Sequence, residues 1–168
     1  MSTSAISAEA ADRSYTWPHA LLLIGRIALG VVFLVAAYTK FHFSDAWHFG
    51  DYYFFFGMAI DSYHLLPFWA VNLLSRGLPV FELFLGAWLM IGVGLRWAGI
   101  VSCLLLGVFI SAMTHAYLQG QTIACGCFGN AEKLGPVTLL RDGSLLVLAL
   151  AVTVGAFLIP KRIVKVLI

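Results

Sequence analysis

The sequence predicts an all-α integral membrane protein: a four-helix bundle with an aromatic interfacial segment between helices 1 and 2. Of its 168 residues, 61% are hydrophobic and only 11% are charged, whereas a typical soluble domain has about 25% charged residues. The mean hydropathy is +0.94. Apolar runs of about 20 residues, the length of a helix that crosses a bilayer, recur along the chain. These observations exclude a soluble enzyme and a disordered protein, and the length suits one bundle.

The chain divides into a transmembrane domain, residues 20–160, and two tails. Residues 1–19 are rich in Ser and Ala and carry few charges, which predicts a flexible cytosolic tail. A cleavable signal peptide is not expected, because the first apolar run has full transmembrane length and the stretch before it is hardly basic. Residues 161–168 form a basic tail that is also expected in the cytosol.

Four spans are predicted within the domain, at about residues 20–39, 68–91, 97–118 and 139–159. Each must be helical, because no water is present in the hydrocarbon core to satisfy an exposed backbone. The positive-inside rule then sets their orientation. One side of the membrane carries Arg13, Arg96, Lys161, Arg162 and Lys165, and the other carries Lys40, Lys133 and Arg141. This bias predicts a multi-pass protein of the bacterial inner (plasma) membrane with both termini in the cytoplasm.

The segment between the first two spans, residues 41–67, is crowded with aromatic side chains. Aromatic rings favour the headgroup zone, so this segment is expected to lie along the outer interface and to be partly helical. It serves either as an anchoring belt or as a lid over a hydrophobic ligand such as a quinone. A net charge of +2, with no basic face that interleaves aromatic residues, argues against nucleic acid as a partner.

Cys125 and Cys127 are the most distinctive chemical feature, since they flank Gly126 in the connection between the third and fourth spans. A disulfide between cysteines so close together is strained, and strain makes it easier to reduce and so a better oxidant. The orientation above places this pair on the oxidising side of a bacterial membrane. The pattern therefore favours a redox role over a plain turn.

A metal site is the other chemistry open to this pair. Together with one or two of the chain's histidines, His115, His42, His48 or His64, the two thiols could hold zinc or copper. The usual zinc spacing is C-x2-4-C, and C-x-C falls outside it, so no metal is assigned. Cys103 lies in the third span near its cytoplasmic end, too far from the other two cysteines to pair with them, and is expected to be a packing residue.

Ionisable residues inside the predicted spans are costly there and are therefore functional candidates. Arg26 in the first span and Glu82 in the second differ in depth by only about 5 Å, so they are expected to pair. Alternatively, Glu82 exchanges protons with a bound quinone. Pro79 shares a face with Glu82, and a proline kink there could open a cavity beside the carboxylate.

Three further charged residues are predicted near the cysteine pair. Arg141 and Asp142 begin the fourth span, and Lys40 ends the first on the same side. A cation near a thiol stabilises its thiolate and raises its reactivity, so Lys40 or Arg141 is a candidate for this task. Ordinary anchoring at the interface is the alternative.

These residues, with the run Cys125-Gly126-Cys127-Phe128-Gly129, resemble the DoxX-like superfamily, and specifically its MauE (methylamine-utilisation) branch, over residues 20–160. The resemblance implies a four-helix membrane bundle associated with redox chemistry. It also implies disulfide formation or electron transfer with a periplasmic thioredoxin-like partner, which in the founding system helps to mature a disulfide-rich dehydrogenase subunit.

The sequence thus favours a membrane thiol–disulfide redox protein that passes electrons to a quinone. The expected catalytic residues are Cys125, Cys127, Lys40, Arg141 and Asp142, and the expected quinone-binding residues are Arg26, Pro79, Glu82 and Phe128. The alternative is a non-catalytic accessory or assembly subunit of a larger membrane complex.

Overall fold

The computed structural model describes residues 3–41, 52–121 and 134–158, with side chains from residue 19 onward except those of Tyr52 and Phe55. These residues form five helices and no strand: α1 (Thr3–Phe41), α2 (Tyr52–Asp61), α3 (Phe68–Ile91), α4 (Leu95–Leu118) and α5 (Pro136–Leu158). Four stretches are long and apolar enough to cross a membrane: His19–Phe41, Phe68–Ile91, Leu95–Leu118 and Pro136–Leu158. The all-α fold with four membrane spans is therefore confirmed.

The beginning of the chain differs from the predicted flexible tail. Helix α1 starts at Thr3 and runs without a break into the first span. Alanine is the best helix former, and elongation of an existing helix avoids the costly step of nucleation. The Ala-rich stretch before the span can therefore extend the helix. The basic tail predicted at residues 161–168 lies outside the described residues.

Helix α1 packs between α3 and α5, α4 packs on α5, and α2 packs on α3. The bundle has two ends. At the loop end, α1 and α4 finish and α3 and α5 begin; at the turn end, Gly92–Gly94 connects α3 to α4. Lys40 belongs to the loop end, and Arg26 lies toward the turn end.

Two glycines set the register between α1 and α3. A Cβ atom at Gly86 would lie 2.9 Å from Leu34 Cγ and 3.0 Å from the Gly30 carbonyl oxygen. Small residues let helices approach this closely in lipid. The Gly30–Gly86 contact therefore fixes which turns of α1 and α3 face each other.

The hydrophobic core lies in the half of the bundle toward the turn end. A cluster of six buried residues from α1, α3, α4 and α5 fills it: Leu29, Phe33, Leu85, Leu89, Ala98 and Ala149. Below it, Arg96 Nε donates a hydrogen bond to the Ala156 carbonyl at 2.9 Å, and its guanidinium lies 5.0 Å from the Phe157 ring centroid. Arg96 therefore ties the start of α4 to the end of α5.

Cys103 faces α5. Its Sγ lies 3.5 Å from Thr153 Oγ1, and Gly99, one turn earlier, packs against the same threonine. This position agrees with the packing role expected of Cys103.

The aromatic segment contains helix α2, so the expectation of partial helicity holds where the chain is described; residues 42–51 lie outside that part. Phe56 is buried, whereas Phe54 and Met58 are exposed. Helix α2 thus turns one face into the bundle and the other away from it.

Candidate functional site

A buried ion pair joins the last turn of α1, at the loop end, to the middle of α3. Lys40 Nζ donates hydrogen bonds to both carboxylate oxygens of Glu82, at 2.7 and 2.6 Å. Only 2% of Lys40 and 3% of Glu82 are exposed. Because charge-assisted hydrogen bonds are the strong ones and removal from water is costly, each residue depends on the other.

Two aromatic rings flank the lysine. Its Nζ lies 5.1 Å from the centroid of Phe56, on α2, and 6.0 Å from that of Phe109, on α4. An ammonium within about 6 Å of a ring face is attracted by the ring's quadrupole. Four helices therefore meet around this one ammonium group: α1, α2, α3 and α4.

A second pair of charges lies at the start of α5. Arg141 Nε donates a hydrogen bond to Asp142 Oδ1 at 3.0 Å. Asp142 is only 4% exposed, whereas 33% of the Arg141 side chain is exposed. The acid thus points into the bundle, while part of the guanidinium reaches its surface.

Asp142 shares a cavity with the Lys40–Glu82 pair. These three residues line a space of about 40 Å³ whose other walls are apolar side chains of α1, α4 and α5. That volume is enough for a water molecule, which needs roughly 10–15 Å³ of such space. The structure therefore brings together three of the charged residues that the sequence singled out.

Pro79 is buried on α3, three residues before Glu82. A proline inside a helix cannot donate to the carbonyl four residues earlier, which here belongs to Ser75. Ser75 is itself buried, and its hydroxyl donates to the Asn72 carbonyl at 3.1 Å. Pro79 thus lies on the face of α3 that carries Glu82, as the sequence predicted.

The predicted pairing of Arg26 with Glu82 is wrong. Arg26 lies against Gly92, at the carboxyl end of α3, where a cation complements the helix dipole. From the Gly30–Gly86 contact, Arg26 lies four residues toward the turn end and Glu82 four residues toward the loop end, so about 12 Å separates them along the axis. The prediction compared the depths of the two residues counted from the ends of their spans, and those depths do not reveal how α1 and α3 are aligned. Lys40, not Arg26, is the residue that pairs with Glu82.

Cys125, Cys127 and Phe128 lie outside the described residues, but both flanks of their segment are described. Leu134, just before α5, packs against Met113 and Ala116 of α4, with Tyr63 and Leu139 at the edge of this cluster. We call these five residues the anchor cluster. It packs the chain at Leu134, just before α5, against α4 and the turn after α2.

Sequence reasoning missed Phe56 and Phe109 as neighbours of the charges. Phe56 was one of many aromatic residues in its segment, and a phenylalanine in an apolar span resembles any lipid-facing residue. Neither carried a signal that distinguished it.

The described fold and its site define a class: a multi-pass helical membrane protein with a neutralised cluster of charges buried at one end of its bundle. Comparison with protein families then identifies the chain more closely. The family model of "Methylamine utilisation protein MauE" matches residues 18–155, and the chain belongs to this family. No curated protein and no solved structure matches the chain significantly. The wider DoxX-like grouping stays a prediction from the sequence.

Proposed function

We propose that the chain is a membrane thiol–disulfide redox protein of methylamine utilisation, with Cys125 and Cys127 as its reactive pair. The observation that carries the proposal is a Cys-Gly-Cys run in the connection from α4 to α5 of a MauE-family chain. Gln121, three residues beyond the end of α4, precedes Cys125 by four residues, and four extended residues cover at most about 14 Å. Chain length alone therefore keeps Cys125 within that distance of Gln121.

The reaction is an exchange with a thioredoxin-like partner on the same side of the membrane. A thiolate of the reduced partner attacks one sulfur of the Cys125–Cys127 disulfide, and the other cysteine leaves as a thiolate. The partner's second thiolate then breaks the mixed disulfide, so the partner departs oxidised and this chain holds a dithiol. A membrane quinone supplies the remaining chemistry when bound, since it accepts two electrons and two protons as the dithiol returns to the disulfide.

The charged residues divide between two tasks. Lys40 is buried against Glu82, so we assign it to holding the bundle rather than to a thiolate. Arg141 is partly exposed at the end of the bundle that carries the cysteine connection, and a nearby cation stabilises a thiolate. We therefore assign the support of the reactive thiolate to Arg141, with Asp142 orienting its guanidinium through the 3.0 Å hydrogen bond.

Trapping in native membranes tests the exchange. With one cysteine of the pair changed to serine, the remaining thiolate can attack the disulfide of the oxidised partner, but this chain has no second thiolate to release the partner by closing its own disulfide. Cys125→Ser or Cys127→Ser is therefore expected to accumulate a mixed disulfide that reductant removes. Cys103→Ser is the matched control and is expected to behave as wild type, because that thiol packs against Thr153. If the double variant Cys125→Ser/Cys127→Ser supports methylamine-dependent growth as well as wild type does, the chain is an accessory or assembly subunit instead.

A further inference from the structure

An apolar cavity lies in the seam between α3 and α4, beneath α2. Its volume is about 160 Å³, and its walls come from α2, the turn that follows it, α3 and α4. We call it the seam cavity. A cavity of about 150 Å³ lined by Leu, Ile and Phe stays dry and binds benzene. The seam cavity is therefore the right size for one six-membered ring.

The inner wall of the seam cavity is formed by the two rings that flank the buried lysine. Phe56 and Phe109 line the cavity on one side and lie against Lys40 Nζ on the other. The ion pair thereby helps to hold both rings in place. Offset stacking or edge-to-face contact with such rings favours an aromatic or quinonoid ligand over a saturated chain.

The opposite side of the seam cavity is open. Leu65, Leu66, Leu74 and Val108 line it and are each exposed on the surface of the chain. In a bilayer these apolar surfaces face lipid. A ligand that enters between them therefore comes sideways from the membrane, as a molecule dissolved in lipid does.

The loop-end wall connects the seam cavity to the anchor cluster. Met113 and Tyr63 line the cavity, and both belong to the anchor cluster with Leu134. Leu134 follows Cys127 by seven residues. The cavity and the anchor cluster thus share two side chains, and the anchor cluster contains the first described residue after the cysteine pair.

From these four features we propose that the seam cavity binds the ring of a membrane quinone, with the isoprenoid tail leaving between Leu65, Leu66 and Val108. This inference rests on the proposed function, in which the quinone is the electron acceptor. Two thiols of Cys125 and Cys127 lose two electrons and two protons and form one S–S bond; the quinone gains both electrons and both protons and becomes the quinol. Phe56 and Phe109 position the ring, and neither exchanges electrons or protons.

Filling the seam cavity tests the site. Ala112 lines it, so Ala112→Phe places a ring where the quinone ring would lie. Ala87→Phe is the matched control, because Ala87 is exposed on α3 and does not line the cavity. In the purified full-length chain, reoxidation of the dithiol by decylubiquinone is expected to need at least about tenfold more quinone in Ala112→Phe than in wild type or Ala87→Phe.

Oxidation of dithiothreitol by the disulfide form gives the second readout. Ala112→Phe is expected to leave it unchanged, because the cysteines still react. If the variant matches wild type in quinone dependence, the seam-cavity inference is overturned and the proposed function stands. If no quinone reoxidises wild type while dithiothreitol exchange proceeds, the inference is overturned, and of the proposed function only the thiol–disulfide exchange stands. If dithiothreitol exchange itself is absent from wild type, the proposed function fails.

A direct measurement on the wild-type protein tests the site without depending on the folding of any variant. Wild-type protein is irradiated with an azido-quinone, and the labelled peptides are identified by mass spectrometry. Label is expected within residues 56–66 and 105–113, and excess decylubiquinone should remove it. Label confined to other segments would show that the quinone binds elsewhere, and competition by phospholipid alone would show that the cavity takes an acyl chain. Either result would overturn the inference.

Discussion

Lys40 and Glu82 meet through both carboxylate oxygens, although 42 residues separate them in the chain. The contact joins the last turn of α1 to the middle of α3, and the rings of Phe56 and Phe109 add α2 and α4 to it. An ammonium and a carboxylate that are this deeply buried are tolerated only as a pair. The pair is therefore the point at which the loop end of the bundle is held together.

Breaking the pair on one side should be costly. Lys40→Met leaves the Glu82 carboxylate buried without its partner, and we expect it to lower the free energy of unfolding by about 3–5 kcal/mol. Thermal unfolding in detergent measures the loss. The double variant Lys40→Met/Glu82→Met should recover much of it, because no charge is then buried. Asp61→Asn, at an exposed position, should change stability by no more than about 0.5 kcal/mol. A single Lys40→Met variant as stable as wild type would contradict this role.

The Phe56 ring should contribute beyond its apolar bulk. Phe56→Leu keeps an apolar side chain but removes the ring that lies 5.1 Å from Lys40 Nζ, so we expect a loss of about 1–2 kcal/mol. Phe54→Leu is the matched control, because Phe54 is 60% exposed on the same helix. Equal stability of the two variants in detergent unfolding would show that the ring adds nothing to the lysine's surroundings.

The contact of α1 with α3 should not tolerate a single added methyl group. Gly86→Ala would place a Cβ within 2.9 Å of Leu34 Cγ and 3.0 Å of the Gly30 carbonyl oxygen, which should cost about 1–3 kcal/mol. Gly107→Ala is the control, since a Cβ there meets nothing within 4 Å. The control should be neutral or more stable by up to about 1 kcal/mol, because alanine favours a helix. The opposite order of melting temperatures would refute this packing.

Arg141 should set the reactivity of the cysteine pair. Arg141→Gln removes the cation, so we expect slower oxidation of dithiothreitol, because the cysteine that leaves as a thiolate is no longer stabilised. In the reduced chain, the pH profile of thiol alkylation by iodoacetamide should shift to higher pH, because more hydroxide is then needed to form the cysteine thiolate. Arg141→Lys keeps the charge and should restore much of the rate. A glutamine variant with an unchanged rate and pH profile would remove Arg141 from the mechanism, although the cysteines would remain in it.

The spans were predictable from the sequence because their signal is local: apolar length alone distinguishes a transmembrane helix. The pairing of charges was not, because it depends on how two helices are aligned. Lys40 was placed correctly at the end of its span, yet Arg26 was chosen as the partner of Glu82. Only the Gly30–Gly86 contact, which no local pattern reveals, shows that a lysine from the helix end reaches the carboxylate.

The site was predictable to the extent that rare residues mark it. Charges in a chain with so few of them are conspicuous, and the sequence identified Lys40, Glu82 and Asp142, which share one cavity. Phe56, Phe109 and the walls of the seam cavity carry no such mark, because apolar residues are common throughout the spans. The roles of Cys125, Cys127 and Phe128 stay predictions that rest on the sequence and on the family.

Redox titration of the thiols tests the central claim most directly. The full-length chain in membranes is poised with dithiothreitol or decylubiquinone and labelled with a maleimide mass tag, with Cys103→Ser as the background that leaves only Cys125 and Cys127 to count. We expect two tags under reducing conditions and none after quinone is added, with the change reversed by fresh reductant. Two tags at every poise would mean that the cysteines do not cycle, and would contradict the account.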